Sequence, residues 1–260
     1  MQTNLADFVK NTSEGREAEA ILRKCVHCGF CTATCPTYQL FGDELDGPRG
    51  RIYLIKEVLE GSEISRRTQY HLDRCLTCRA CETTCPSGVH YSRLFEIGRN
   101  IVDEKIPRRF LDKARRSVLN FILPRPITFA SLIKIARVAK PFLPQIISQQ
   151  ISLAADPGKW PKPRHKKKFL LHQGCVQRSL APRINAAAAR VLDKVGISLI
   201  PATGSRCCGA INQHLGKEAT ARQVMRRNMD RMLEQLDSGA QGIVTTASAC
   251  SLMFKEYADL

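Results

Sequence analysis

Twelve cysteines are the residues of this 260-residue chain whose type and spacing indicate chemistry. Eight of them form two runs of one pattern, C-x2-C-x2-C-x3-C-P, at residues 25–36 and 75–86. We expect no secretory signal, because the first residues lack a basic start followed by an apolar stretch. In the reducing compartment that this implies, clustered cysteines more often bind metal than form disulfides.

The spacing within the two runs is typical of proteins that hold two 4Fe-4S clusters. Three cysteines at intervals of three residues wrap one side of a cluster, and the proline after the fourth turns the chain away. The fourth cysteine of each run is therefore expected to ligate the other cluster. The predicted first set is Cys25, Cys28, Cys31 and Cys85. The predicted second set is Cys75, Cys78, Cys81 and Cys35.

Zinc is the alternative metal for such cysteines. It takes four ligands, usually as two separated pairs, and two triplets that each end in Cys-Pro fit it poorly. His27 lies inside the first run, but we expect it beside the cluster or at the surface, because four thiolates already fill the ligand places. Cations next to the ligands are expected to favour the reduced clusters and raise their potentials. These cations are Arg23, Lys24, Arg74 and Arg79.

The residues between the two runs have the apolar spacing of helices. Residues 51–61 predict one helix with Gly61 as its cap, and Ser62 is predicted to cap a second helix that runs to Leu72. Helices in this spacer favour an α-helical ferredoxin domain, for which we predict residues 1–106.

A loop precedes the first of these helices at residues 46–51, as its glycines and proline indicate. It carries Arg49 and Arg51. Donation by these arginines to a cluster sulfur or to a partner's carboxylate remains an alternative to simple solvation.

Residues 107–166 are predicted to form a basic helical linker broken by prolines, with one helix near 127–140. Sixteen lysines and arginines but only two acidic residues lie between Lys105 and Lys168, which supplies most of the net charge of +16. Such a stretch suits an anionic membrane surface or an acidic partner, and packing against the flanking domains is the alternative. We expect no nucleic-acid partner, because no recognition motif or set of stacking aromatic residues accompanies the charge. We also expect no membrane-spanning helix, because no uncharged apolar run is long enough.

The last segment, residues 167–260, alternates strand and helix. Strands are predicted at 167–173, 196–202 and 241–246, and helices at 180–195 and 214–237. This order predicts a parallel sheet with helices on its faces.

The remaining cysteines each follow one of these strands, and the carboxyl ends of parallel strands meet at one edge where sites form. They are Cys175, Cys207, Cys208 and Cys250. Three interpretations stay open, namely a metal or iron–sulfur site, a redox or quinone-facing thiol site, and buried thiols that only pack. His172 and His214 flank the group and are expected to be helpers at most.

The runs CVHCGFCTATCP and CLTCRACETTCP, with DGPRGRIYLIK between them and a later CCG segment, resemble the iron–sulfur subunits of bacterial glycolate oxidase. The wider family includes iron–sulfur subunits of anaerobic glycerol-3-phosphate dehydrogenase, lactate-utilisation proteins and heterodisulfide reductase. The resemblance implies an electron-transfer subunit without catalytic residues. It would relay electrons from FAD-bearing partner subunits, which oxidise glycolate to glyoxylate, to a membrane quinone rather than to NAD or oxygen. It also implies a peripheral position on the cytoplasmic face of the inner membrane.

Two features depart from that family. Its members carry a second cysteine-rich half, whereas this sequence ends shortly after Cys250, so we expect a truncated cysteine-rich (CCG) domain, as a fragment, a truncated product or a split protein. Heterodisulfide-reductase-like members end the motif with C-x-x-C, but here Met253 takes the last place.

The predicted fold class is therefore α plus α/β, with an α-helical ferredoxin domain, a basic linker and a small parallel-sheet domain. The rival functions are a subunit of a related oxidoreductase (for another 2-hydroxy acid, glycerol 3-phosphate or a heterodisulfide), a self-contained thiol–disulfide reductase, and a structural or sensory module.

Overall fold

A computed structural model describes residues 1–149 and 156–258 of the chain. They fall into two compact units, Met1–Arg109 and Phe110–Leu260. The first unit is helical, and the second combines helices with a three-stranded parallel sheet, which confirms the predicted α plus α/β class. The finer division at 106/107 and 166/167 stays a prediction.

The first unit consists of short and medium helices joined by tight loops. A single 3-10 turn, Glu44–Asp46, precedes its central helix. The α-helices are α1 (Asp7–Lys10), α2 (Ser13–Lys24), α3 (Phe30–Ala33), α4 (Pro36–Phe41), α5 (Pro48–Leu59), α6 (Arg66–Asp73), α7 (Ala80–Thr83) and α8 (Tyr91–Lys105).

The ends of these helices follow local chemistry. Helix α5 begins at Pro48, where the N–H that proline lacks is not needed. Gly61 adopts the left-handed conformation (φ 89°) predicted for the residue after this helix. The prediction that Ser62 caps the next helix is wrong. Ser65 is the cap, because its Oγ accepts the Thr68 N–H at 3.2 Å, whereas the Ser62 N–H donates to the Glu57 carbonyl and closes α5.

The core of the first unit lies between α2, α5 and α8, where Leu22, Ile55 and Leu94 are fully buried. Gly98 of α8 lets the helices approach closely, because a Cβ built there would lie 2.6 Å from Ile55 Cγ1. This packing holds in place the helices that flank both cysteine runs.

The second unit begins with helices and continues into the alternating strands and helices. A 3-10 turn, Lys140–Phe142, follows its second helix. The helices are α9 (Phe110–Ile122), α10 (Pro126–Ala139), α11 (Gln145–Ser148), α12 (Gln177–Leu180), α13 (Pro182–Lys194), α14 (Ala210–His214), α15 (Glu218–Asp237) and α16 (Ser248–Lys255). The strands are β1 (Lys167–His172), β2 (Ile197–Pro201) and β3 (Ile243–Thr245).

The sheet has the strand order β2-β1-β3, and both pairs are parallel, as the alternation predicts. Leu170 of β1 lies opposite Ile200 of β2 and Ile243 of β3, and this register brings the carboxyl ends of all three strands to one edge. The predicted helix at 214–237 is divided, because Gly216 has a left-handed backbone (φ 76°) between α14 and α15.

The basic segment holds more helix than the sequence predicts. Helix α10 matches the predicted helix near 127–140, and α9 precedes it. Apolar side chains on both remain in contact with solvent, including Phe110, Phe121, Ile135 and Val138. In the part of the chain that the structure describes, no helix alone combines the length and hydropathy needed to cross a membrane. The bent pair formed by α9 and Pro126–Phe142 meets that test only when both helices are counted together.

Candidate metal centres

The first candidate centre is a cavity that contains all four cysteines of the predicted first set. Three come from the first run, beside the start of α3, and Cys85 comes from the end of the second run. The cysteines that line it are Cys25, Cys28, Cys31 and Cys85, together with Cys81 from the other predicted set. The fold thus brings a cysteine from one run to the triplet of the other.

The second candidate centre repeats this arrangement with the runs exchanged. Three of its cysteines belong to the second run, beside α7, and Cys35 comes from the end of the first run, just before α4. The cysteines that line this cavity are Cys35, Cys75, Cys78 and Cys81.

The two loops share an unusual backbone. His27 and the matching Thr77 both have positive φ (58° and 51°), as do Gly29 (87°) and the matching Arg79 (59°). Non-glycine residues seldom adopt this conformation, so its recurrence at matched positions indicates that the same loop is built twice. At Gly29 a side chain would also meet a neighbour, because a Cβ there would lie 2.9 Å from Arg49 Nη1.

A tyrosine that sequence reasoning missed forms part of both cavities. Tyr91 begins α8, is 5% exposed and lines each cavity, as Cys81 does. Its hydroxyl donates to Cys75 Sγ at 3.6 Å. The only signal in the sequence is its position six residues after Cys85, at the start of an apolar segment.

The cavities offer the donor set that a 4Fe-4S cluster requires, which is four cysteine sulfurs facing one space. Burial raises the pKa of the Cys81 thiol to about 12 and also raises the pKa of Cys31. These thiols therefore keep their protons until a metal displaces them, as expected for cysteine ligands. The residues present fit two such clusters.

His27 lies in the wall of the first cavity. Burial, followed by the charge of Arg49, lowers its pKa, and its Nδ1 is buried without a hydrogen-bond partner among the described residues. That His27 lies beside the cluster without being a ligand stays a prediction.

The four cations expected beside the clusters are placed differently from one another. Arg79 lines the second cavity. Arg74 donates to the buried carboxylate of Asp46, with 2.6 Å between Nη1 and Oδ2. Arg23 and Lys24 lie on the exposed face of the last turn of α2, where Arg23 pairs with Glu19, so neither of them lines a cavity.

The two arginines of the predicted loop at 46–51 lie in the first turn of α5 and border different cavities. The loop prediction is wrong from Pro48 onward, because a proline is accepted at the first position of a helix. Arg49 borders the first cavity, is 36% exposed and donates to Glu44 Oε1 at 2.6 Å. Arg51 borders the second cavity and is 1% exposed. Solvation is therefore excluded for Arg51, which is enclosed in the protein.

The four cysteines of the second unit come together at the edge of the sheet, as the strand order predicts. All four are buried, and they are Cys175, Cys207, Cys208 and Cys250. The Cys207 thiol is hydrogen-bonded to Cys175 and Cys208, and Cys250 is bonded to Cys208. Because Cys208 accepts from two thiols, its pKa is lowered, while the pKa values of Cys207 and Cys250 are raised.

His172 is closer to these thiols than a helper role requires. One of its ring nitrogens and the sulfurs of Cys208 and Cys250 all lie within 4.8 Å of one another. Its Nδ1 is bonded to Ser205 Oγ at 2.8 Å, and Nε2 has no hydrogen-bond partner within the described residues. Burial lowers the pKa of His172, so the ring is neutral and can act as a ligand. His214, at the end of α14, is not in this group.

Comparison with known proteins finds one domain match over each group of cysteines. A 4Fe-4S dicluster domain matches residues 21–89, and a cysteine-rich domain matches residues 169–255. The glycolate oxidase iron-sulfur subunit of Escherichia coli (strain K12) is 50% identical over 100% of this chain and 64% of its own length. A probable glycolate oxidase iron-sulfur subunit of Bacillus subtilis (strain 168) is 28% identical over 96% of this chain and 62% of its own length. No solved structure matches the chain.

The chain therefore spans less than two thirds of the length of these curated relatives. Its two domain matches coincide with the two groups of cysteines that the structure assembles. Residues 21–89 match the 4Fe-4S dicluster domain and residues 169–255 match the cysteine-rich domain, and the chain is similar over at least 96% of its length to two curated iron–sulfur subunits of glycolate oxidase.

Proposed function

We propose that this chain is an electron-transfer subunit of a flavin-dependent glycolate dehydrogenase, in which two 4Fe-4S clusters carry electrons from glycolate oxidation toward a membrane quinone. One observation carries the proposal: eight cysteines line two adjoining cavities, and each cavity combines three cysteines of one run with the last cysteine of the other, while Cys81 lines both. The similarity to glycolate oxidase iron–sulfur subunits supports the choice of glycolate. A related oxidoreductase with another substrate would use the same cavities.

The residues of the chain have defined roles in this proposal. The first set (Cys25, Cys28, Cys31 and Cys85) holds one cluster, and the second (Cys75, Cys78, Cys81 and Cys35) holds the other. Each cluster supplies reversible one-electron transfer when bound. Buried apolar residues such as Ile52 and Val89, in the wall of the first cavity, exclude water from the sulfurs.

The partner subunits in this proposal are those implied by the similarity to glycolate oxidase iron–sulfur subunits. We assign no substrate-binding or catalytic residue to this chain, so glycolate and FAD belong to partner flavoprotein subunits in the proposal. The basic helices α9 and α10 would lie on the anionic cytoplasmic face of the inner membrane. Their exposed apolar side chains, such as Phe121 and Ile135, would enter the interface, and arginines and lysines would meet the lipid headgroups.

The cysteines of the second unit are proposed to form a further metal or iron–sulfur site. These four thiols (Cys175, Cys207, Cys208 and Cys250) are buried at the sheet edge, and neutral His172 beside them offers a fifth donor.

Anaerobic reconstitution of the chain tests the proposal. About eight irons and eight sulfides per chain in the two clusters, with an EPR signal from two reduced clusters, are expected. In the assembled complex, glycolate should reduce these clusters, and the complex should float with anionic vesicles at low salt but not at high salt. Zinc without a reducible signal would contradict the electron-transfer function, and clusters that stay oxidised under glycolate would contradict the choice of substrate.

A further inference from the structure

Helix α5 carries two arginines two residues apart, and the surroundings of their charges differ. The guanidinium of Arg49, at the first cavity, is neutralised by Glu44, and both side chains are well hydrated, with 36% and 40% exposed. Arg51, at the second cavity, is among the most completely buried large side chains described. Charges act over longer distances where water is excluded, so Arg51 has the stronger field.

The hydrogen bonds of Arg51 leave part of its guanidinium free. Nε donates to the carbonyl of His71 at 2.8 Å, and Nη1 donates to Thr37 Oγ1 at 3.2 Å. Nη2 has no hydrogen-bond partner in the described part of the chain, and its ion pair with Asp46 Oδ1 is long, at 3.6 Å. A buried, incompletely satisfied cation in the wall of a cavity is costly unless the cavity receives negative charge.

The nearest anion does not neutralise this site fully. Asp46 is completely buried, and its Oδ2 accepts from Arg74 Nη1 at 2.6 Å, while its Oδ1 lies 3.0 Å from His71 Nδ1. One carboxylate therefore serves two guanidinium groups. Arg74 is 26% exposed and partly hydrated, so the surplus of positive charge lies on the side of Arg51.

A short chain of polar atoms joins Arg51 to a predicted cluster ligand. Thr37 Oγ1, which accepts from Arg51, lies 3.1 Å from Cys35 Sγ and donates to the Asp46 carbonyl at 2.7 Å. Cys35 is the ligand that the first run contributes to the second cavity. In the first cavity the neighbouring arginine, Arg49, is instead bound to an exposed carboxylate.

We infer that Arg51 sets the reduction potential of the second cluster and makes that cluster the more easily reduced of the two. Reduction adds one electron, and hence one negative charge, to the site. A fixed buried cation stabilises that charge, and local charge and hydrogen bonding at the ligand sulfurs set cluster potentials. This inference rests on the proposed function, because it requires a cluster in each cavity. Arg51 is a positioning and tuning residue, and it takes no part in the chemistry of glycolate.

A redox titration followed by EPR tests the inference in the reconstituted chain, with dithionite as the one-electron reductant. Arg51→Gln should lower the equilibrium constant for reduction of the second cluster at least tenfold, which is 59 mV for one electron, and leave the first cluster unchanged. Arg49→Gln is the matched control and should move neither cluster by a comparable amount. Cys28→Ala and Cys78→Ala, which each remove an exposed ligand, identify which potential belongs to which cluster.

A variant that shifts the potential of the second cluster in the opposite direction distinguishes an effect of charge from a structural role of Arg51. Asp46→Asn removes the compensating anion, so it should raise the potential of the second cluster, and this result stands even if Arg51→Gln loses its clusters. Three results would each overturn the inference while leaving the proposed function intact. The second cluster could have a lowered potential in Asp46→Asn, it could have an unchanged potential in Arg51→Gln, or it could be harder to reduce than the first cluster in the wild-type chain. A wild-type chain that takes up no iron under anaerobic reconstitution would overturn both.

Discussion

The two groups of cysteines differ in how they use their sulfur atoms. In the first unit eight sulfurs face two open cavities, and the exposed Cys28 and Cys78 lie at their outer edges. In the second unit the four sulfurs are buried, and interactions between the thiols lower the pKa of Cys208 while raising those of Cys207 and Cys250.

This difference between the two groups of cysteines indicates what each group is suited to bind. A cavity lined by cysteines of both runs suits an inorganic cluster that takes four thiolate ligands. Thiols that interact with one another give up those interactions, as well as their protons, when a metal binds. The first group is therefore expected to depend on its metal more strongly than the second.

Loss of a single ligand from each group gives the largest expected contrast. Cys28→Ala should remove the first cluster and lower the iron content from about eight to about four per chain, with the second cluster kept. Cys250→Ala should leave those eight irons in place, because that residue belongs to the other unit. Iron and sulfide assays with EPR check this. Equal iron loss in both variants would remove the distinction between the two groups.

A matched pair of glycines tests whether the two groups of cysteines differ in how tightly their backbones are packed. Gly29 and Gly209 each follow a cysteine and have left-handed backbones (φ 87° and 94°), so alanine at either should cost roughly 1–2 kcal/mol of unfolding free energy. Gly209→Ala should cost slightly more, because its Cβ would lie 3.4 Å from the fixed Ala221 carbonyl as well as 3.3 Å from Met225 Cε, whereas Gly29→Ala meets only the end of the Arg49 side chain, which can move aside.

Urea unfolding of the metal-free chain measures both glycine variants. Equal costs would show that the thiol group of the second unit is no more tightly packed than the first cavity.

A pair of tyrosines provides the smallest test. The Tyr257 hydroxyl donates to the Cys208 carbonyl at 2.8 Å, whereas the Tyr91 hydroxyl reaches only Cys75 Sγ at 3.6 Å. Tyr257→Phe should therefore cost about 1 kcal/mol of unfolding free energy, and Tyr91→Phe about half of that or less in the metal-free chain. Urea unfolding of the two variants checks the order, and a reversed order would mean that the sulfur contact is already strong before metal binds.

The sequence predicted the parts of this molecule that depend on spacing. The repeated cysteine pattern predicted the cysteines that line each cavity except Cys81, which also lines the first, and the alternation of strands and helices predicted the edge at which Cys175 and Cys250 meet. It could not predict Arg51 as a buried cation, because burial of a charge depends on distant partners such as His71 and Asp46. The position of His172 was also underestimated, since the distance from its ring to Cys208 and Cys250 follows from the register of the sheet rather than from any local pattern.

The position of Cys81 and Tyr91 in the walls of both cavities has a kinetic consequence. The rate of electron tunnelling falls exponentially with distance, and single side chains separate the two cavities at these positions. In the proposed function, an electron that enters one cluster would therefore pass to the other before the subunits dock or dissociate, and an acceptor would draw electrons from both clusters.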